Sequence, residues 1–416
     1  MERESTTHTH NDHRTIGGRD AIVVNDIYSN MRSTTRLIPS RANNLGVLLL
    51  DNPKALHALT RDMVDCADDV LREWKSDPTI KAILIKSSSK ETKRASFCAG
   101  GDVKSVYLQG LEYQESTKER RERQKPEIFF RHEYKVIHKI ATCIDKIPVV
   151  SFWDGLVMGG GVGLSIHGKY RVATERTLFS MPECRIGFFP DVGSMWWMTR
   201  LLQRPMANYL ALTGQRLKPS DLLYTGLATH YVSSNRIEDL EHALVEATSM
   251  CEKDDQEAGD VIASVLTSFH ESIPTDHCDI AINKEIIERT FTGDSVEELC
   301  FNLKEADTEF SKSALNLLKE MSPTSLKITM EGLNRGVTCK TIAEDLQMEY
   351  RMAKASVQQG SDFYEGIRSV LVDKDNSPKW KPANLEEVTD GMIYKFFSPM
   401  KNNEWTHLQE AEPSKL

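Results

Sequence analysis

The sequence predicts an α/β fold followed by a mainly helical carboxyl-terminal region. In the first half, short apolar runs typical of strands alternate with segments of helical periodicity. Beyond Leu217, strand signals become rare and helical periodicity dominates. These observations divide the chain into an amino-terminal arm (1–40), an α/β core (41–235), a helical region packed on the core (236–390) and a tail (391–416).

The core begins with a strand, a helix and a strand. Residues 45–51 form an apolar run that ends at Asn52-Pro53, and residues 79–87 form a second one, so both are predicted to be buried strands. Between them, apolar residues recur at three- and four-residue steps, which predicts an amphipathic helix starting near Thr60. Its apolar residues are Leu59, Met63, Cys66, Val70, Leu71 and Trp74.

The alternation continues along the core. The charged stretch 111–125 predicts a solvated loop or an exposed helix, and 128–144 regains helical spacing. Strands are predicted at 148–153 and 170–173, with a helix from about residue 194 to 202. In the second half, helical periodicity covers five further segments, at 237–251, 280–291, 311–321, 341–357 and 362–372.

Composition excludes several classes of partner. The 416-residue chain has a net charge of −9 and no long basic stripe, so nucleic acid is not an expected partner. Its longest apolar runs, 45–50 and 147–153, are far shorter than the roughly 20 residues of a membrane-spanning helix, so no membrane segment is expected. The eight cysteines lie far apart without a Cys-x-x-Cys pattern, which predicts reduced thiols and no metal site.

Two glycine-rich segments occur where a predicted strand gives way to a helix. The first is Ser96-Phe97-Cys98-Ala99-Gly100-Gly101-Asp102-Val103, and the second is residues 154–163 with Gly159, Gly160 and Gly161 at its centre. Glycine lets backbone N–H groups approach a ligand closely, and the start of a helix favours negative charge. The pattern therefore predicts an oxyanion hole.

These segments, together with the acids that follow them, resemble the crotonase, or enoyl-CoA hydratase/isomerase, superfamily, and within it the 3-hydroxyisobutyryl-CoA hydrolase family. The resemblance covers residues from about 44 to 385. It rests on residues 129–134, 158–168, 171–174, Met181-Pro182-Glu183, 186–193, 210–214, 362–368 and 372–375. It implies a spiral of β-β-α units, with 41–235 as the catalytic core. The implied reaction is hydrolysis of 3-hydroxyisobutyryl-CoA, or a close 3-hydroxyacyl-CoA, in valine breakdown, without a cofactor other than the coenzyme A of the substrate.

The resemblance also assigns roles to particular residues. The amides of Gly101 and Gly160 match the two oxyanion donors, and Glu183 matches the principal catalytic carboxylate. Glu183 either attacks the thioester carbonyl or acts as a base on water, and the sequence leaves both modes open. Asp191 matches the acid that meets the 3-hydroxyl of the substrate, and the alternative for it is a helix N-cap.

The resemblance implies further substrate contacts, although the motifs that carry them are short and less specific. Glu133 matches another acid at the substrate pocket, although its helical spacing also suits a solvated face. Lys54-Ala55-Leu56 resembles the segment that contacts coenzyme A, with Ala99 nearby in the first glycine-rich segment. The lysine is available for a phosphate. His167 and His230 have no Ser or Cys partner in a nucleophile motif, so both are predicted to be structural.

One departure from the superfamily separates the possible reactions. Hydratases carry a second catalytic glutamate three positions after the middle glycine of the triple-glycine segment, where this chain has Gly163. Hydration is therefore disfavoured, and a hydratase or isomerase stays as an alternative, as does a non-catalytic acyl-CoA-binding protein. A second departure, at residues 194–197, leaves the acyl group of the substrate open.

The sequence also predicts a compartment. Ser414-Lys415-Leu416 matches a peroxisomal address that an import receptor reads, so the peroxisome is the expected location and the mitochondrion the alternative. A homo-oligomer is possible, and no sequence feature decides it.

Overall fold

The computed structural model describes residues 24–25, 36–88, 94–115, 125–143, 147–251, 255–273 and 278–399. Within these ranges ten strands form two sheets, one of seven strands and one of three. The strands are β1 Val24–Asn25, β2 Leu37–Ala42, β3 Leu45–Leu50, β4 Ala82–Ser87, β5 Ser96–Cys98, β6 Val149–Trp153, β7 Leu156–Met158, β8 Tyr170–Ala173, β9 Leu178–Ser180 and β10 His230–Tyr231.

From β4 to β10 the chain forms a spiral in which consecutive strands alternate between the two sheets. The large sheet has the order β1-β2-β3-β4-β6-β8-β10, and the small sheet has the order β5-β7-β9. From β3 to β10 neighbouring strands of the large sheet are parallel, with Ile83 opposite Val149 and Val150 opposite Tyr170. Each of the pairs β4/β5, β6/β7 and β8/β9 contributes one strand to each sheet before the chain enters a helix. This confirms the predicted spiral of β-β-α units.

Helices of the core surround the sheets, and a long helical region follows β10. The core helices are α1 Arg61–Ser76, α2 Val103–Glu115, α3 Ile128–Cys143, α4 Gly160–Ile166, α5 Ser194–Leu201, α6 Arg204–Thr213 and α7 Pro219–Tyr224. The later helices are α8 Ile237–Met250, α9 Asp255–Phe269, α10 Asp279–Ile282, α11 Lys284–Thr290, α12 Val296–Ala306, α13 Glu309–Glu320, α14 Pro323–Gly336, α15 Ile342–Ser356, α16 Asp362–Ile367 and α17 Asp390–Phe397.

The large sheet is buried on both faces, as expected for a parallel sheet covered by helices. In β4, Ile83 and Ile85 join one apolar cluster, whereas Ala82 and Leu84 join a second cluster on the opposite face. This alternation follows from the two-residue period of a strand. The second cluster is completed by side chains of α8 and α9, namely Leu240, Leu244, Val245, Ile262 and Leu266. The first cluster lies on the side that carries the glycine-rich segments.

Several predicted elements have the expected place. Thr60 is the N-cap of α1, where its side chain accepts a hydrogen bond from the backbone N–H of Met63. The predicted strands at 45–51, 79–87, 148–153 and 170–173 correspond to β3, β4, β6 and β8. In the charged stretch, α2 extends to Glu115, and residues 116–124 lie outside the described residues.

Other boundaries differ from the sequence prediction. β2 covers Leu37–Ala42 and pairs along its length with β3, so the core includes the last residues assigned to the arm. Helix α17 covers Asp390–Phe397, at the start of the predicted tail. The segment 280–291 contains two short helices, since Asn283 takes a non-helical conformation between them. Helices α9, α12 and α14 were not predicted.

In the described part of the chain, no helix is both long and apolar enough to cross a bilayer.

Candidate active site

Three buried carboxyl groups from different elements meet beside the small sheet. Glu133 lies on α3, Glu183 begins a 3-10 helix (Glu183–Ile186) shortly after β9, and Asp191 lies in the loop before α5. Their exposed fractions are 2%, 7% and 5%. Burying acids close together is costly, so such a group is more typical of a functional site than of a hydrophobic core.

The turn that carries Glu183 is set by its neighbours. Pro182 precedes the 3-10 helix, which ends at Gly187 with a left-handed φ of 69°. A Cβ atom on Gly187 would overlap the backbone of Asp362 in α16, so only glycine allows this close approach. The helical region therefore packs directly against the turn that presents Glu183.

The predicted oxyanion donors lie next to each other. Gly160 is the first residue of α4, and the amide nitrogen of Gly101 lies 3.1 Å from the position that a Cβ on Gly160 would take. The backbone hydrogen bonds of the described residues include none donated by Gly101 or Gly160. Both N–H groups are therefore available to a ligand, and that of Gly160 adds the favourable end of a helix dipole.

The carboxyl groups border these two amides. A Cβ on Gly160 would overlap Oε1 of Glu133, and a Cβ on Gly159 would lie 2.8 Å from Oε1 of Glu183. Oε1 of Glu133 and Oε2 of Glu183 are buried without a hydrogen-bond partner among the described residues. The two amide donors and the unpaired carboxylate oxygens therefore border the same small space. A ligand placed there would contact both kinds of group.

Burial raises the pKa values of all three acids, and repulsion by neighbouring carboxylates adds to the rise at Glu133 and Glu183. Burial, followed by the charges of Asp191 and Glu183, raises the pKa of Glu133 well above its usual range. Burial and the charge of Asp191 likewise raise the pKa of Glu183 well above its usual range. Burial raises the pKa of Asp191 to about 7. Each of the three groups therefore keeps its proton to higher pH than a free carboxyl group does, as carboxyl groups in catalytic clusters can.

Asp191 has a specific partner in the core. The hydroxyl of Tyr134 donates a 2.7 Å hydrogen bond to Oδ2 of Asp191. The backbone carbonyl of Asp191 accepts hydrogen bonds from the N–H and the hydroxyl of Ser194. The side chain of Asp191 is thus directed toward Tyr134, so helix capping is not its role.

Gly163 fills the position where hydratases carry a second glutamate. A Cβ at this position would lie 2.6 Å from Cβ of Val192 and 2.9 Å from Cδ1 of Ile137. The space for a longer side chain is occupied by apolar residues of the core. The local packing therefore favours glycine here, in agreement with the departure seen in the sequence.

The predicted coenzyme A segment runs beside the first glycine-rich segment. The N–H of Ala99 donates a 3.0 Å hydrogen bond to the carbonyl of Leu56, and the N–H of Leu59 donates one of 2.8 Å to Gly100. Lys54 and Ala55 are exposed at the surface, in a 3-10 helix (Pro53–Ala55) that Leu56 caps. The structure thus brings Leu56 and Ala99 together and leaves the Lys54 ammonium accessible to solvent.

Other candidate groups do not have reactive surroundings. Burial raises the pKa of both thiols near the site, Cys98 and Cys184, to about 12, which leaves them uncharged at neutral pH. Burial lowers the pKa of His167 to about 4, and its Nε2 lies 2.9 Å from the carbonyl oxygen of Val192. His230 has its pKa lowered to about 4 by burial.

Two residues that contact Asp191 or its loop were not predicted as site residues from the sequence. Tyr134 contacts Asp191, and its place next to Glu133 was a signal that could have been followed. Glu349 accepts hydrogen bonds from the N–H groups of Gly193 and Met195, directly after Asp191. It comes from α15, more than 150 residues later, and no local pattern marks it.

A family model and several known proteins are similar to this chain over most of its length. A family model described as enoyl-CoA hydratase/isomerase matches residues 45–397. The mitochondrial 3-hydroxyisobutyryl-CoA hydrolase of Homo sapiens is 40% identical over 362 residues, covering 86% of this chain and 87% of that protein. The protein of the same name from Gallus gallus is 39% identical over 375 residues, covering 89% and 91%. Both relatives are named as mitochondrial proteins, and neither name mentions the peroxisome.

Solved structures share the fold. A carnitinyl-CoA dehydratase from Mycobacterium thermoresistibile superposes with a TM-score of 0.75 at 31% identity, covering 88% of this chain and 97% of that one. An enoyl-CoA hydratase from Rhodobacter sphaeroides 2.4.1 gives a TM-score of 0.73 at 31% identity, covering 88% and 98%. Both proteins carry names of lyase reactions, so the fold is compatible with more than one acyl-CoA chemistry.

Proposed function

The chain belongs to the enoyl-CoA hydratase/isomerase family, and we propose that it hydrolyses the thioester of 3-hydroxyisobutyryl-CoA, or of a close 3-hydroxyacyl-CoA. The products are the hydroxy acid and free coenzyme A. The observation that carries this proposal is the unpaired, buried carboxyl of Glu183 beside the two free amides of Gly101 and Gly160. Hydrolysis needs a nucleophile or base facing a stabilised oxyanion, and these residues supply both parts.

The thioester carbonyl oxygen is placed between the N–H groups of Gly101 and Gly160. When the carbonyl carbon is attacked, its oxygen becomes negatively charged, and both amides donate hydrogen bonds to that charge. Loss of one such donor typically costs about 2.7–4 kcal/mol of transition-state stabilisation. Burial and the charges of Asp191 and Glu183 raise the pKa of the neighbouring Glu133 well above its usual range, which favours its uncharged form and lessens repulsion of the oxyanion.

Glu183 has two possible modes. In one, its carboxylate attacks the carbonyl carbon, the C–S bond breaks, coenzyme A leaves as the thiolate and takes a proton, and water hydrolyses the resulting mixed anhydride. In the other, Glu183 takes a proton from water, and the hydroxide formed attacks the same carbon and expels the thiolate. Both modes consume one water and give the same products. Both require Glu183 in its ionised form.

Asp191 is proposed to select the substrate. Its carboxylate accepts a hydrogen bond from the 3-hydroxyl of the acyl group, while Tyr134 holds its other side. An acyl group without the hydroxyl leaves a buried polar group unpaired, which a site built for hydrogen bonding rejects strongly. Leu56 and Ala99, with Lys54 at the surface, are proposed to hold the coenzyme A part of the substrate. No cofactor is required beyond the coenzyme A of the substrate.

The packing at Gly163 argues against the hydratase alternative. Water addition in this family uses a second glutamate at that position, and here Val192 and Ile137 occupy the space. A non-catalytic acyl-CoA-binding protein would have no use for a raised-pKa carboxyl facing two free amides. The hydrolase is therefore the proposal that uses all the groups in the site.

A thiol-reporting dye assay tests the proposal. Purified protein is given 3-hydroxyisobutyryl-CoA, isobutyryl-CoA and crotonyl-CoA, and release of coenzyme A is followed beside hydration of crotonyl-CoA. We expect fast release from the 3-hydroxy ester, at least about a hundredfold slower release from isobutyryl-CoA, and little hydration. Crotonyl-CoA hydration faster than thiol release would favour the hydratase, and binding without release would favour the non-catalytic protein.

The compartment is a separate proposal. Ser414-Lys415-Leu416, outside the described residues, predicts recognition by the peroxisomal import receptor, whereas the names of the relatives support the mitochondrion. A fluorescent fusion with and without this tripeptide distinguishes them. Loss of a peroxisomal signal on deletion supports the receptor, and a mitochondrial signal in both fusions refutes it. The oligomeric state is measured separately, as the molar mass of the purified protein by light scattering.

A further inference from the structure

The loop that carries Asp191 has an unusual backbone. Val192 has a φ of 62° and Gly193 a φ of 78°, so two consecutive residues are left-handed. Glycine adopts this conformation freely, but a β-branched residue such as valine does not. Such strain costs on the order of 1–3 kcal/mol and persists only where the surroundings hold it. Something must therefore stabilise the loop from Asp191 to Gly193.

Glu349 provides that support from a distant part of the chain. Its Oε2 accepts a 2.6 Å hydrogen bond from the N–H of Gly193, and its Oε1 accepts one of 3.1 Å from the N–H of Met195. Both N–H groups lie at the start of α5, where helix donors otherwise lack partners. Glu349 is fully buried on α15. One carboxyl therefore fixes the loop directly after Asp191 by two hydrogen bonds.

The arrangement is costly and specific. A helix start is usually capped by a short Ser, Thr, Asp or Asn side chain next to it in sequence. Here a long carboxyl side chain is desolvated completely, although it lies one turn from Asp345, another buried acid on α15. Burial and the charges of Asp345 and Asp191 raise the pKa of Glu349 well above its usual range. Because burying this carboxyl group costs stability, a contribution to stability does not explain why it is there.

Other contacts complete a clamp around Asp191. Nε2 of His167 donates to the carbonyl oxygen of Val192 at 2.9 Å, and Tyr134 donates to the Asp191 carboxylate itself. A Cβ on Gly193 would lie 2.7 Å from the His167 ring, so the loop has little room to move. Of these partners, Glu349 is the one that comes from the carboxyl-terminal helical region.

We propose that Glu349 is a positioning residue, which holds the strained loop so that Asp191 meets the 3-hydroxyl of the substrate. This inference rests on the proposed function, because it assigns Glu349 to the selectivity of that site. The helical carboxyl-terminal region then has a defined part in substrate selection as well as in packing.

The test compares Glu349→Gln with a matched control, Asp221→Asn. Asp221 is also a buried carboxylate that accepts two backbone N–H groups, from Lys218 and Ile280, but it lies on α7 rather than beside the acid loop. For each variant, kcat/KM is measured with 3-hydroxyisobutyryl-CoA and isobutyryl-CoA, together with the melting temperature. We expect Glu349→Gln to lower the preference for the 3-hydroxy ester at least about tenfold, with the preference of Asp221→Asn unchanged.

Hydrogen exchange gives a readout that does not depend on activity. The amides of Gly193 and Met195 should exchange faster in Glu349→Gln than in wild type or Asp221→Asn. If Glu349→Gln is insoluble, Glu349→Asp keeps the carboxyl group on a shorter side chain and should give a smaller change in the same direction. Unchanged substrate preference, or unchanged exchange of the two amides, overturns the positioning role. A wild-type protein that releases no coenzyme A instead overturns the proposed function, while the exchange result still decides whether Glu349 holds the loop.

Discussion

The hydroxyl of Tyr134 lies 2.7 Å from Oδ2 of Asp191 and donates a hydrogen bond to it. Tyr134 follows Glu133 on α3, so one helix supplies both an acid of the site and the partner of another acid. Burial raises the pKa of Asp191 to about 7, and the hydrogen bond from Tyr134 opposes that rise. The contact with Tyr134 therefore favours the charged form of Asp191, whereas burial favours the neutral form.

Tyr134→Phe should move the ionisation of Asp191 to higher pH. Without the hydroxyl, the charged carboxylate loses a hydrogen bond, so its pKa rises further above its usual value. We expect kcat/KM for 3-hydroxyisobutyryl-CoA to fall most near pH 7 and to recover as the pH rises toward 9. Tyr170→Phe, which removes a buried hydroxyl bonded to Gly259 instead, serves as the control. An unshifted pH profile in Tyr134→Phe would contradict this assignment.

Asp191→Asn should stabilise the protein, and more so at pH 8 than at pH 5. Between the unfolded pKa of about 4 and the folded value of about 7, the folded state keeps a proton that the unfolded state releases. Stability contributed by this group is therefore present at low pH and lost as the pH rises through about 7. Asparagine does not titrate, so melting temperatures of both proteins at the two pH values measure the effect. A difference in melting temperature between Asp191→Asn and wild type that is equal at both pH values, or larger at pH 5, would refute this prediction.

Gly160→Ala should abolish most of the activity without unfolding the protein. The added methyl group would overlap Oε1 of Glu133 and come within 3.1 Å of the Gly101 nitrogen, so it fills the space where the oxyanion forms. We expect kcat to fall at least about a hundredfold, comparable to loss of an oxyanion donor. Gly259→Ala on α9 is the control, since its Cβ meets only the Lys169 ammonium at 3.6 Å. Wild-type kcat in Gly160→Ala would exclude this pair of amides as the oxyanion hole.

Sequence patterns identified most of the core but not all of its helical surroundings. The strand at 148–153 and the helix starting near Thr60 were predictable because periodicity and capping are local. The approach of Gly101 to Gly160 was implied by family resemblance, since two loops about 60 residues apart meet only in the folded chain. No local sequence pattern indicates the left-handed backbone of Val192 or the hydrogen bonds between Glu349 and the loop after Asp191. Both depend on tertiary packing. Helices α9, α12 and α14 were missed although their apolar residues are spaced as regularly as those of the predicted helices α8 and α15.

Gly163→Glu should not create a hydratase. The longer side chain would have to displace Val192, whose Cβ lies 2.6 Å from the position of a Cβ on Gly163. Overpacking of this kind typically costs about 1–3 kcal/mol, and the buried charge adds to it. We expect a lower melting temperature and no gain in crotonyl-CoA hydration. Substantial hydration by this variant would mean that Gly163 alone separates the two reactions.

The most direct measurement of the central claim is release of coenzyme A from 3-hydroxyisobutyryl-CoA by wild type and by Glu183→Gln. The amide keeps the size of the side chain but neither attacks the thioester nor takes a proton from water, in either proposed mode of Glu183. We predict that kcat falls by at least about 10³, the loss typical of a principal catalytic group. The melting temperature should stay near or above that of wild type, since a buried acid with a raised pKa is removed. Coenzyme A release by Glu183→Gln at the wild-type rate would contradict the account.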